Sequence, residues 1–200
     1  MTYDSIEGVE HYASRRYRHW DQRWISNREQ RMVQQLMKKH GLGGEIMDVP
    51  CGYGRFYNTL KEFGNVHGAD INHYSVEYYN QRVSSDPGAV EAGADKMPFD
   101  DNAFNGSFCF RLLQHMHEPE ERIAILKELK RISKDWIIAS LYLSSPVHLL
   151  HRAIIKMPSK ITQLTPNQLN QEVAAAGLKM HTMKSVVPGL HAHRICLFFT

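Results

Sequence analysis

The residues best suited to chemistry stand in one short stretch, Ile46-Met47-Asp48-Val49-Pro50-Cys51-Gly52-Tyr53-Gly54-Arg55-Phe56. An apolar run over residues 45–49 stops at Pro50 and reads as a buried parallel strand. It leads into a glycine turn and then a helix expected over residues 55–63, closed by Gly64. Gly52 and Gly54 carry no Cβ, so the backbone there can approach a ligand closely. The helix start behind them offers free N–H groups. A second apolar run, residues 66–70, ends on Asp70. In nucleotide-binding sheets a carboxylate at that position meets ribose hydroxyls, because it accepts two hydrogen bonds in a fork.

Strands and helices must hold these residues in place. Residues 10–39 read as one or two helices, stopped by Gly41, Gly43 and Gly44. Residues 75–83 read as a helix, 90–92 as a short strand and 104–110 as a fourth strand. Residues 119–133 form the clearest helix, with Pro119 at its first position and Glu120 and Glu121 in its first turn. Lys127, Lys130, Arg131 and Lys134 gather at its other end, and Ile123, Leu126, Leu129 and Ile132 mark its apolar stripe. Residues 136–143 read as a fifth strand and 146–156 as a helical insertion. Thr165-Pro166 opens a helix to about 176, ended by Gly177. Residues 179–187 and 193–199, joined at Pro188-Gly189, form a closing hairpin. Strand and helix alternate nearly throughout, which predicts the α/β class with a mainly parallel sheet.

The 200 residues suit one domain, and 42% hydrophobic content can fill its core without staples. Cys51, Cys109 and Cys196 are an odd number, widely spaced, which argues against a disulfide framework and a zinc cluster and suggests a reducing, cytoplasmic setting. The polar N-terminus shows no secretory pattern, and the apolar run at 136–143 is too short to cross a bilayer. The formal charge is only +3, yet eight Lys or Arg residues lie between Arg15 and Lys39 against Asp21 and Glu29. That segment reads either as a solvated helix face or as a surface for an anionic partner.

Four stretches, in order, resemble the class I S-adenosylmethionine-dependent methyltransferases. Asp48 to Gly54 resembles their acidic glycine loop, and Gly68-Ala69-Asp70-Ile71 their ribose acid. Ala94-Asp95-Lys96-Met97-Pro98-Phe99 resembles the adenine-side motif, and Phe110-Arg111-Leu112-Leu113-Gln114-His115-Met116 the end of the fourth strand. Pro50 stands where the family has its first glycine, Gly93 where an aspartate is frequent, and Asn105 where another is frequent. The resemblance implies a Rossmann-like sheet of seven strands in the order 3-2-1-4-5-7-6, the last antiparallel, with helices on both faces. It implies one domain over 1–200: a helical lid at 1–40, a cofactor core at 41–143, an acceptor-side insertion at 144–164 and a closing helix and hairpin at 165–200. It implies S-adenosylmethionine as cofactor and S-adenosylhomocysteine as product. The expected contacts are Asp48, Pro50, Cys51, Gly52 and Gly54 with the amino acid moiety, and Asp70 with the ribose. Ile71, Ala94, Asp95 and Met97 would serve the adenine, Arg16 or Arg15 the methionine carboxylate, and Arg111 is a further expected cofactor contact.

A dinucleotide-dependent dehydrogenase is the competing reading of the loop, but its third glycine would fall at Tyr57. His115 reads as a general base or as a surface histidine. Arg111 reads as the holder of an acceptor carboxylate or phosphate, or as a partner of Asp95 or Glu118. His115-Met116-His117-Glu118 and His191-Ala192-His193 have chelating spacing but no completing ligand set, so no metal is expected. Residues 142–160, with His148, His151 and Arg152, should cover an acceptor pocket. The expected acceptor is a small or lipid-like molecule attacking through oxygen, nitrogen or carbon. Two alternatives stand beside it: an RNA methyltransferase using the basic N-terminal helix, and a cofactor-binding protein without catalysis.

Overall fold

The computed structural model describes residues 4–144, 161–188 and 192–200. The expected insertion helix at 146–156, with His148, His151 and Arg152, lies outside them, as do Gly189 and His191. Seven strands form one sheet: β1 (Gly44–Asp48), β2 (Gly64–Asp70), β3 (Ala89–Glu91), β4 (Phe104–Cys109), β5 (Ser133–Tyr142), β6 (Lys179–Ser185) and β7 (His193–Phe199). Their order is β3-β2-β1-β4-β5-β7-β6, and β7 runs antiparallel to both of its neighbours. The α/β expectation and the strand order both match the structure.

Consecutive side chains of a strand point to opposite faces, so a strand covered on both sides is apolar throughout. Ile46 and Met47 of β1 divide this way, as do Trp136, Ile137, Ile138 and Ala139 of β5. One face packs against α2 (Trp20–His40) and α3 (Tyr57–Leu60), through Val33, Leu36, Met37 and Leu60. The other packs against α5 (Pro119–Ile132) and α6 (Pro166–Ala175), through Ile125, Leu129, Leu169 and Val173. Both helices begin as their sequences demand. Glu118 and Thr165 cap the first turns, and Pro119 and Pro166 occupy positions whose N–H would find no partner within the helix.

Two local differences from the expected elements matter to the site. The helix after the glycine turn is one α-turn, Tyr57–Leu60, rather than residues 55–63. It stops early because the Phe63 carbonyl turns away to accept the Gly44 N–H at 3.1 Å, joining the chain to the start of β2. The N-terminal region resolves into two helices, α1 (Ile6–Arg15) and α2, with Arg16 at the break. The buried stripe of α5 differs from the expected Ile123, Leu126, Leu129 and Ile132: Ile123 is only half-buried, and Ile125 joins the stripe with two buried charges, Arg122 and Glu128. Arg122 forks onto Glu172 of α6 at 2.9 and 2.5 Å, so this pair fastens the two helices. Among the described residues, no helix is long and apolar enough to cross a membrane.

Candidate active site

Strands β1, β2, β4 and β5 are parallel, so their C-terminal ends share one edge of the sheet. The connections diverge between β1 and β4, where a crevice must open. A half-enclosed cavity of about 400 Å³ sits at that point, a size that takes a small-molecule ligand. Of the expected site residues, Arg16, Asp48, Pro50, Cys51, Gly52, Asp70, Ile71, Arg111 and His115 all line it.

Its first wall is acidic. Asp48 ends β1 and is 3% exposed. Burial, and then the neighbouring Asp70, push its carboxyl well above the usual carboxylate range. Asp70 ends β2 and accepts the Asn72 N–H on Oδ1 and the Gly52 N–H on Oδ2, each at 2.9 Å. Burial raises its carboxyl too, and those two N–H groups oppose the rise. Each oxygen retains a lone pair, so the carboxylate can still take two hydroxyls. Beside it Ile71 is 77% exposed, an apolar side chain left for a flat ring to cover. A nucleoside therefore fits this wall: hydroxyls to Asp70, base to Ile71. The Cys51 N–H is tied to the Ala69 carbonyl at 2.9 Å, and burial pushes its thiol up, which leaves it a poor nucleophile.

Four expected residues are not brought to the cavity. Gly54 has φ 75°, and a Cβ there would lie 2.7 Å from a Val83 methyl, so its bareness serves packing between the turn and the end of α4 (His73–Arg82). Met97 is 4% exposed within the core, its N–H donating to Glu128 at 2.6 Å. Arg131 holds the Met97 and Phe99 carbonyls at 3.2 and 2.8 Å. These bonds draw the segment with Ala94, Asp95 and Met97 toward α5. Ala94 packs partly against the core, and Asp95 is exposed. Tyr57 opens α3 and meets Tyr79 edge-on at 6.0 Å, where the dehydrogenase fingerprint needs a glycine.

The rest of the lining is largely basic and phenolic. Arg111 follows β4 in the left-handed region, φ 61°, at a cost of roughly 1 kcal/mol for a residue with a Cβ. Two bonds hold it there. Its N–H donates to Ser140 Oγ at 2.7 Å and its guanidinium to Glu29 at 2.7 Å. Its partner is thus Glu29 of α2, not Asp95 or Glu118. Glu29 is fully buried and also receives Arg55, while His193 Nδ1 lies 2.9 Å away. Burial pushes its carboxyl up, but His193, Arg55 and Arg111 outweigh that and bring it down to about 2. His193, whose spacing suggested chelation, is instead buried in this cluster, stacked on Tyr142 at 4.8 Å. Arg16 lies 5.8 Å from the ring centres of Tyr12 and of Tyr17. His115, in the turn after Arg111, is exposed, and partial burial, then Arg111, lower its pKa from the ordinary 6.5.

Sequence reasoning gave no site role to Tyr53, Arg55 and Gln114, which line the cavity, or to Glu29, which holds Arg55 and Arg111. One signal was available for Glu29. It shares its helix face with Ser26, Val33, Leu36 and Met37, so it is a charge on an apolar stripe, and such a charge needs partners. Tyr53, Arg55 and Gln114 carry no comparable signal.

Residues 47–135 match a family model described as a methyltransferase domain. An uncharacterized protein of Methanocaldococcus jannaschii is 28% identical over 90 residues, which is 45% of this chain. The chain spans about a third of that relative's length, 36%. Among solved structures, magnesium protoporphyrin IX methyltransferase from Synechocystis PCC 6803, with bound S-adenosylhomocysteine, superposes with a TM-score of 0.73 at 17% identity. The match covers 90% of this chain and 87% of that one. An S-adenosylmethionine-dependent methyltransferase from Clostridium acetobutylicum gives 0.70 at 8% identity, over 86% and 91%. At such identities the two structures speak for the fold.

Proposed function

We propose that the chain, whose residues 47–135 match a methyltransferase-domain model, uses the cavity between β1 and β4 to bring S-adenosylmethionine together with a small or lipid-like acceptor. One observation carries this reading: a carboxylate ends each of two adjacent parallel strands, β1 and β2, and both line one cavity with Gly52 and Ile71. When bound, the cofactor supplies an electrophilic methyl group on a sulfonium. Asp70 binds the ribose hydroxyls, Ile71 covers the adenine and Asp48 receives the amino group. The main contribution of the protein is then to hold the acceptor in line with that methyl, which alone lowers the barrier substantially.

His115 stands by the cavity, where it can take a proton from a hydroxyl or amine acceptor. Its lowered pKa keeps it neutral, and so basic, at pH 7. The test supplies tritium-labelled methyl donor with cell extract fractionated into small metabolites, lipids and RNA. Label is expected in a metabolite or lipid fraction, and label confined to RNA would overturn the acceptor class. With the active fraction, the rate should hold down to about pH 6.5 and decline below it, and His115→Asn should lower it on the order of 100-fold. A flat pH profile with an unchanged variant rate would remove His115 from the reaction.

A further inference from the structure

The basic wall holds more positive charge than the structure answers. Arg16, Arg55 and Arg111 all line the cavity. One carboxylate, Glu29, receives both Arg55 and Arg111. Arg16 has no carboxylate partner among the described residues. Asp48 and Asp70 line the same cavity but pair with none of the three, so two guanidinium charges lack an ion-pair partner of their own among the described residues. The side chains of Arg55 and Arg111 are only 11% and 23% exposed, so solvent answers little of that charge. Donors are left over as well. The Nε of Arg55, the Nε of Arg111 and the Tyr53 hydroxyl are buried with no hydrogen-bond partner. Buried donors are nearly always satisfied, so three unsatisfied ones on the walls of one cavity point to a ligand that satisfies them.

The methyl donor brings one carboxylate, for which Arg16 at the break between α1 and α2 is the expected partner, together with two cationic groups, an ammonium assigned to Asp48 and the sulfonium. It therefore removes none of the net positive charge, and the unsatisfied donors of the basic wall remain for the other molecule that must enter. We propose that the methyl acceptor is a small carboxylic acid, its carboxylate held by the unsatisfied donors of Arg111 and Tyr53. This rests on the function proposed above and adds the acceptor class to it. A guanidinium edge and a hydroxyl on the lining of one cavity offer two donors to the two oxygens of a planar carboxylate. The left-handed backbone at Arg111 fits the same account, since strained residues persist where their aim matters.

The test saturates the protein with S-adenosylhomocysteine and titrates it calorimetrically with benzoate, indole-3-acetate and octanoate. Their primary amides and phenyl phosphate serve as comparisons. At least one carboxylate should bind tenfold or more tightly than its amide. Arg111→Gln should abolish that preference while leaving S-adenosylhomocysteine affinity within threefold. Tyr53→Phe removes a single hydroxyl, keeps the ring packing, and should weaken the carboxylate about threefold and the amide not at all. Amides that bind as well as the acids, or no binding by any acid, would overturn the proposal. Tighter binding of phenyl phosphate than benzoate would replace the carboxylate with a phosphate. If Arg111→Gln weakens S-adenosylhomocysteine tenfold and spares the acid preference, the donors belong to the cofactor. Wild-type protein that takes up no S-adenosylhomocysteine would instead remove the proposed function, and this proposal with it.

Discussion

Replacing Asp70 with alanine is expected to weaken S-adenosylmethionine binding by at least 100-fold while the protein stays folded. The side chain is the fork offered to the ribose, and each hydrogen bond to a charged group is worth about 1.5–3 kcal/mol. Losing two such bonds corresponds to roughly 100-fold to 10,000-fold in affinity. Alanine also frees the N–H groups of Gly52 and Asn72, which Asp70 holds at 2.9 Å each, and so loosens the turn that shapes the cavity. Asp70→Asn grades the two effects. It keeps one oxygen and nearly the same volume, so one of the two turn bonds survives while the other N–H loses its acceptor and the fork loses its charge. Binding and melting temperature should then both fall between the wild type and alanine. Calorimetry on the three proteins decides it. If alanine binds within threefold of wild type, Asp70 does not read the ribose.

Glu29→Ala is expected to cost about 3–5 kcal/mol of stability, because it leaves the Arg55 and Arg111 guanidiniums buried without a counter-ion. Chemical denaturation measures this directly. The pH dependence gives a second check. Arg55, Arg111 and His193 bring the Glu29 carboxyl down to about 2, against an ordinary 4.5. A group whose pKa is lower in the folded state stabilises fully above its unfolded value and loses that contribution as pH falls toward the folded one. The gap between wild type and Glu29→Ala should therefore be widest above pH 4.5 and close between 4.5 and about 2. A cost below about 1 kcal/mol would show that solvent answers these guanidiniums and that the cluster is not a buried ion network.

What the sequence made legible, and what it hid, divides by the range of the interactions. Strand and turn positions were readable because periodicity, proline and glycine act locally. Asp48, Gly52 and Asp70 were readable because parallel strands bring their C-terminal ends together whatever else the chain does. The strand order came from the resemblance, since no local pattern encodes a crossover. The break at Arg16 was hidden because neither proline nor glycine marks it, and the chain turns there to place Tyr12 and Arg16 over the crevice. The Glu29 cluster was hidden because it joins α2 to residues at 55, 111 and 193, contacts that only the folded sheet creates. Ala94, Asp95 and Met97 were assigned to the adenine by motif, yet Glu128 and Arg131 draw that segment toward α5. Those bonds join side chains to the Met97 backbone about 30 residues away and leave no mark on the motif itself.

The most direct test of the central claim is calorimetric titration of the wild-type chain with S-adenosylmethionine, S-adenosylhomocysteine and NAD. The predicted result is saturable binding of the two adenosyl ligands at micromolar concentration and none of NAD. Folded protein that binds neither adenosyl ligand, or that binds NAD in their place, would contradict the account.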